Sequence, residues 1–118
     1  MSIVADLLAK PGVIAAGEYA YRGDRFSHKG ALTEQYARMA SIMCRATTMA
    51  ANMEGGMIAA FCPQAGIQPV RGWMIRGPGN TVCVVANVFC LIDNQKGSLN
   101  SILGFMRQAL ADETVDLI

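Results

Sequence analysis

TEQYARMASIMCRATTMAANMEGGMIAAFC, residues 33–62, reads as one long helix. Thr33 supplies an N-cap hydroxyl that accepts one of the unpaired first-turn N–H groups. Glu34 places negative charge in the first turn, where the helix dipole favours it. No proline interrupts the run before Pro63. Met39, Met43, Ala46, Ala50, Met53 and Met57 recur at spacings of three and four, which makes one apolar stripe. Tyr36, Ala40, Cys44, Thr47 and Ala51 form a milder stripe beside it. Charge within the helix is sparse, at Arg38, Arg45 and Glu54 besides the capping Glu34. A helix apolar over more than one face is buried on more than one side. In a chain of 118 residues one side is the protein's own sheet, and the other is expected to be a second copy.

The bulk composition agrees with a chain that needs covering. Hydrophobic residues make up 53% and charged residues 16%, against about 25% charged in an average domain. The length fits a single domain over residues 1–118 with a core of its own. A net charge of +1, without a basic run, lacks the footprint of a nucleic-acid binder. No apolar run reaches the ~18 residues of a membrane span. The first ten residues carry Asp6 and no positively charged n-region, so cytoplasmic residence and reduced thiols are expected.

Outside the helix, residues 2–9 read as a short helix capped by Ser2, with Ile3, Leu7 and Leu8 on one face and Pro11-Gly12 ending it. Residues 13–21 and 25–29 read as a hairpin around the turn signal Arg22-Gly23-Asp24. Ala15, Ala16 and Gly17 would let a helix pack closely over the first of these strands. After the long helix, whose Glu54-Gly55-Gly56 is expected to fray or break the last turns, residues 63–69 form a loop. Residues 70–77 are a strand with Gly72 as a candidate bulge. Gly77-Pro78-Gly79-Asn80 is a turn. Residues 81–85 and 88–93 are two apolar strands joined at Ala86-Asn87, where Asn87 tolerates positive φ. Ser98 caps a final amphipathic helix over residues 99–110, with Leu99, Ile102, Leu103, Met106 and Leu110 inward. The tight turns imply a five-stranded antiparallel sheet in an α+β layer architecture.

Two stretches carry a family resemblance: LLAKPGVIAAGEYAYRGDRFSHKG and TVCVVANVFCLIDNQKGSLNSILGFMRQAL, with MASIMCRATTMAANM between them. In these stretches and in the order of its elements the chain resembles the roadblock family, the dynein light-chain roadblock and gliding-protein type of domain. The Met/Cys-rich helix, PVRGWMIRG and VCVVANV look like a small bacterial branch of it. The resemblance covers essentially the whole chain and implies a profilin-like layered fold. It further implies homodimerisation through the central helix and the strand after it, and a non-enzymatic role as a scaffold or as a regulator of small Ras-like GTPases. No partner-contact motif can be matched residue by residue.

The expected dimer interface is therefore Met39, Met43, Ala46, Ala50 and Met53 on the helix, with Val70, Trp73 and Ile75 on the strand. For Trp73, core packing and interface placement both stay open. Arg71 is expected on the rim. No catalytic, cofactor-binding or metal-binding residue is assigned. Cys44, Cys62, Cys83 and Cys90 include no Cys-x-x-Cys pair, so the spacing predicts free, metal-free thiols. With the turn centred on Ala86-Asn87, Cys83 and Cys90 face each other at ~5.5 Å between Cα atoms, within disulfide range. They read either as two small core residues or as a redox pair. His28 reads as a surface residue, and Glu18 as facing solvent or a basic neighbour such as Arg25. The alternative function is a small-molecule or redox-sensing domain, with a Met/Cys-lined pocket between helix and sheet.

Overall fold

The computed structural model describes residues 2–20 and 25–111. The turn expected at residues 22–24, and Tyr21 as the end of the first strand, lie outside the described residues. The elements run α1 (Ile3–Leu8), β1 (Val13–Tyr19), β2 (Phe26–Gly30), α2 (Glu34–Phe61), a 3₁₀ turn (Pro63–Ala65), β3 (Gly72–Arg76), β4 (Asn80–Val85), β5 (Val88–Asp93) and α3 (Leu99–Ala109). All three helices are capped as the sequence implies. The side chains of Ser2, Thr33 and Ser98 accept from the N–H groups of Ala5, Tyr36 and Ser101.

The strands form one antiparallel sheet in the order β2-β1-β5-β4-β3, so β3 and β2 are its edges. The two faces carry separate cores. On one, Val4 and Leu7 of α1 and Ile102, Met106 and Leu110 at α3 pack on Ala16, Cys83, Val85, Val88, Cys90 and Ile92. On the other, Cys44 of α2 packs with Tyr19, Val84 and Phe89, and Phe26, Leu32, Ala40 and Trp73 close around them. The sheet is thus a middle layer, with α1 and α3 on one side and α2 on the other.

Three local expectations are corrected. The helix α2 runs unbroken through Gly55 and Gly56. Gly55 is there because the chain folds back over it: a Cβ would lie 2.6 Å from Val70 Cγ2, and the Gln68 side chain donates to the Asn52 carbonyl at 3.1 Å. Gly72 is not a bulge, since β3 keeps continuous register with β4 from Gly72↔Val85 to Arg76↔Thr81. A side chain there would instead meet the Val84 carbonyl oxygen at 2.4 Å. The irregularity falls between Val13 and Ala15 in the pairing of β1 with β5. Finally, positive φ in the β4–β5 turn is carried by Ala86, at 55°, and not by Asn87. Asn87 has another task, exchanging hydrogen bonds with Tyr19: its side chain donates to the Tyr19 carbonyl at 2.8 Å and its own carbonyl accepts from the Tyr19 N–H at 3.0 Å.

Candidate interaction surface

The long helix buries its small residues and exposes its large ones. Ala37, Ser41, Cys44, Thr48 and Gly55 are the buried positions of α2. They follow the milder of the two sequence stripes, offset by one residue at several positions. Small side chains let the helix axis approach the sheet closely. The price of that approach is that the opposite, larger stripe has nothing among the described residues to cover it. Met43 is 63% exposed, Met53 73% and Phe61 78%, and Tyr36, Met39, Ile42, Met49 and Met57 are exposed as well. Ala46 and Ala50 lie exposed among them. Large exposed apolar patches on folded domains mark protein or membrane contacts, ligand grooves or aggregation liabilities, which makes this stripe the candidate surface.

The edge strand β3 adds to it. Its pairing partner is β4 on one side, and among the described residues no strand pairs with the other side. Alternation puts Trp73 and Ile75 on the α2 face of the sheet and Met74 on the α3 face. Ile75 is exposed. Trp73 is half-buried and turned toward the chain's own helix, where its indole Nε1–H donates to Thr48 Oγ1 at 2.7 Å. Val70 precedes the strand and is half-buried over Gly55. Of the eight residues expected at an interface, Met39, Met43, Ala46, Ala50 and Met53 therefore lie exposed on α2 with Ile75 on β3, whereas Val70 and Trp73 are engaged within the chain.

Arg71 is exposed, and it is also engaged within the chain. Its guanidinium donates to the carbonyls of Leu110 and Ala111 at 3.3 and 3.1 Å, tying the approach to β3 to the end of α3. Cations suit helix C-termini, where carbonyls lack intrahelical partners. Nothing in the sequence separates Arg71 from Arg76 in this respect. Between β3, β4 and the last turns of α3 lies a cavity of about 650 Å³, lined by Arg71, Trp73, Met74, Leu103, Arg107 and Leu110 among others. It holds one methionine and no cysteine, and it lies beside α3 rather than under α2.

Cys83 and Cys90 are cross-strand partners, as the turn position implies, and both are fully buried as free thiols. Side-chain hydrogen bonding between them pulls the Cys83 thiol down and pushes Cys90 up, and burial raises both. Burial alone pushes the Cys44 thiol up to about 12. His28 is half-buried, not a surface residue: its ring stacks on Phe26 with centroids 6.1 Å apart, and its Nδ1 is buried without a hydrogen-bond partner. Among the described residues no group of three His, Cys, Asp or Glu side chains could hold a metal ion. None of their helices is long and apolar enough to cross a membrane.

Fold and surface together define an α+β layered domain whose central helix exposes an apolar face among the described residues. The chain belongs to the family described as Uncharacterized conserved protein (DUF2173), whose model matches residues 3–108. Comparison with curated proteins gives no match.

Proposed function

We propose that this chain is a non-enzymatic, homodimeric protein-interaction module of roadblock-like architecture. One observation carries the reading: α2 lays Ala37, Ser41, Cys44, Thr48 and Gly55 on its own sheet and leaves Met39, Ile42, Met43, Met53, Met57 and Phe61 outside. A second copy is the occupant that best suits this face. An isologous contact brings the same helix and the same open edge strand together across a two-fold axis, so one surface supplies both sides. In that dimer the α2 stripes pack together and the β3 edges meet, with Ile75 at the seam. The order of the elements and the roadblock resemblance support assigning the outer surface to a protein partner, either a small Ras-like GTPase or the other subunits of a larger assembly. The second reading, a small-molecule or redox-sensing domain, draws on the cavity beside α3 and on the buried thiols. Sedimentation equilibrium of the chain and of Met43→Glu tests the first reading.

A further inference from the structure

The cavity beside α3 is apolar at its floor and cationic at its mouth. Val84, Val85 and Leu110 are buried beneath it, Leu103 is half-buried, and Met74 is 47% exposed at its edge. Among the described residues that line it, Arg71 and Arg107 alone carry charge, and both are exposed. Arg71 donates to the carbonyls of Leu110 and Ala111, which sets the start of β3 against the end of α3. Met74 pairs with Cys83, whose Sγ lies 3.7 Å from Sδ of Met106, so the strand runs back along the helix. The cavity follows the strand from Arg71 to Met74, a length of ~10 Å. At about 650 Å³ it falls within the ~300–1,000 Å³ of small-molecule sites.

The two arginines have different tasks. A helix C-terminus disfavours an anion, because its last carbonyls lack intrahelical partners and carry the negative end of the dipole. Arg71 occupies two of those carbonyls and offsets their potential. The Arg107 side chain has no hydrogen-bond or ion-pair partner among the described residues. Its planar fork of donors matches a carboxylate or phosphate in bidentate geometry.

We infer that this cavity binds a single-chain amphipathic anion of the fatty-acid class, with its acyl body along Met74, Val85, Leu103 and Leu110 and its head group on Arg107. This assignment rests on the small-molecule reading of the chain and names its ligand class. Burial of the acyl body supplies affinity, and the Arg107 fork selects the charge of the head. An uncharged head leaves the guanidinium without a counter-charge, and a cationic head is repelled by it. Chain spacing could not reveal the site, because β3, β4 and α3 meet only in the fold.

Isothermal titration of the full chain with dilute decanoate tests it. One decanoate per chain is expected, a count that does not depend on the oligomeric state. Decanol and decylamine should bind at least about tenfold more weakly, and acetate, which lacks the acyl body, should give no heat. Arg107→Gln should weaken decanoate by ~10–100-fold, the range for a hydrogen bond to a charged group, and Arg107→Lys by less. Met74→Glu sets a carboxylate beside the acyl path and should weaken it too. Both positions are exposed, so the fold should survive, which circular dichroism checks. Decanol or decylamine binding as tightly as decanoate overturns the anionic class and leaves a small-molecule cavity standing. Failure of decanoate, decanol and decylamine alike overturns both. Decanoate binding that is indifferent to Arg107 and Met74, or capture of the chain by phosphatidylglycerol vesicles without binding of free decanoate, also overturns the proposal.

Discussion

The indole N–H of Trp73 donates to the hydroxyl of Thr48 at 2.7 Å, and the same hydroxyl lies 3.4 Å from the phenol of Tyr19. One buried threonine on α2 thus joins an edge strand to β1, three strands away in the sheet. Placing β3 against α2 in this way fixes the angle at which the edge strand and the exposed helix stripe are presented together.

Thr48→Val keeps the shape and removes the acceptor, leaving the indole N–H without its protein partner. The expected cost is about 1 kcal/mol. Trp73→Ala removes the ring as well, and because Trp73 is half-buried the expected cost is about 2–3 kcal/mol, at or below the low end of the range for a buried tryptophan. Urea unfolding at one fixed protein concentration checks both values. Equal, negligible losses would show that the ring contributes nothing to the placement of β3.

The two glycines in α2 are predicted to behave oppositely. Gly56→Ala adds a Cβ that meets only the flexible end of Gln68, at 3.6 Å. Relief of the glycine's helix penalty should stabilise the chain by about 0.5–1 kcal/mol. Gly55→Ala gains the same propensity but sets its Cβ 2.6 Å from Val70 Cγ2. Val70 must move, and the net effect should be destabilising. Thermal unfolding of the two variants gives the signs directly.

Cys44 makes stability sensitive to alkali. Its thiol is held protonated in the fold, with a pKa of about 12 against an ordinary 9.0. Between these values the unfolded chain has lost a proton that the folded chain keeps. Stability from this group is complete below pH 9.0 and declines as the pH rises toward 12, by up to about 1.4 kcal/mol per unit. Comparing wild type with Cys44→Ala in urea at pH 8 and pH 10 isolates the effect: the variant should lose less stability between the two. Identical losses would refute the assignment to Cys44.

Much of this arrangement is legible along the chain. Thr33, the absence of proline before Pro63 and the three-and-four spacing give α2 almost to the residue. The turn at Ala86-Asn87 gives the Cys83–Cys90 register. What periodicity does not convey is which of two stripes faces inward. Hydrophobicity favours the methionines, yet close packing favours alanine, serine and threonine, and in α2 packing wins. Gly55 shows the same limit: read locally it weakens a helix, and its purpose appears only when Val70 is found above it. The positive φ at Ala86 sits on a residue that seldom adopts it, next to an Asn87 that would accept it more readily but is used to hold Tyr19. The exposed stripe of α2 is legible because it is a one-dimensional pattern. The intrachain contacts of Trp73, Val70 and Arg71 are not, because their partners Thr48, Gly55 and Leu110 lie far away in sequence.

The central claim is that a second copy covers the methionine face of α2, and the solution mass of the chain tests it most directly. Sedimentation equilibrium across the micromolar range should give twice the 12.6 kDa chain mass for the wild type. Met43→Glu sets a charge at a position already 63% exposed in the single chain, so the monomer should tolerate it while the dimer does not. The account predicts a monomer for Met43→Glu, with the helical circular dichroism retained. A wild type that stays at the single-chain mass throughout that range, or a Met43→Glu dimer as tight as the wild type, would contradict it.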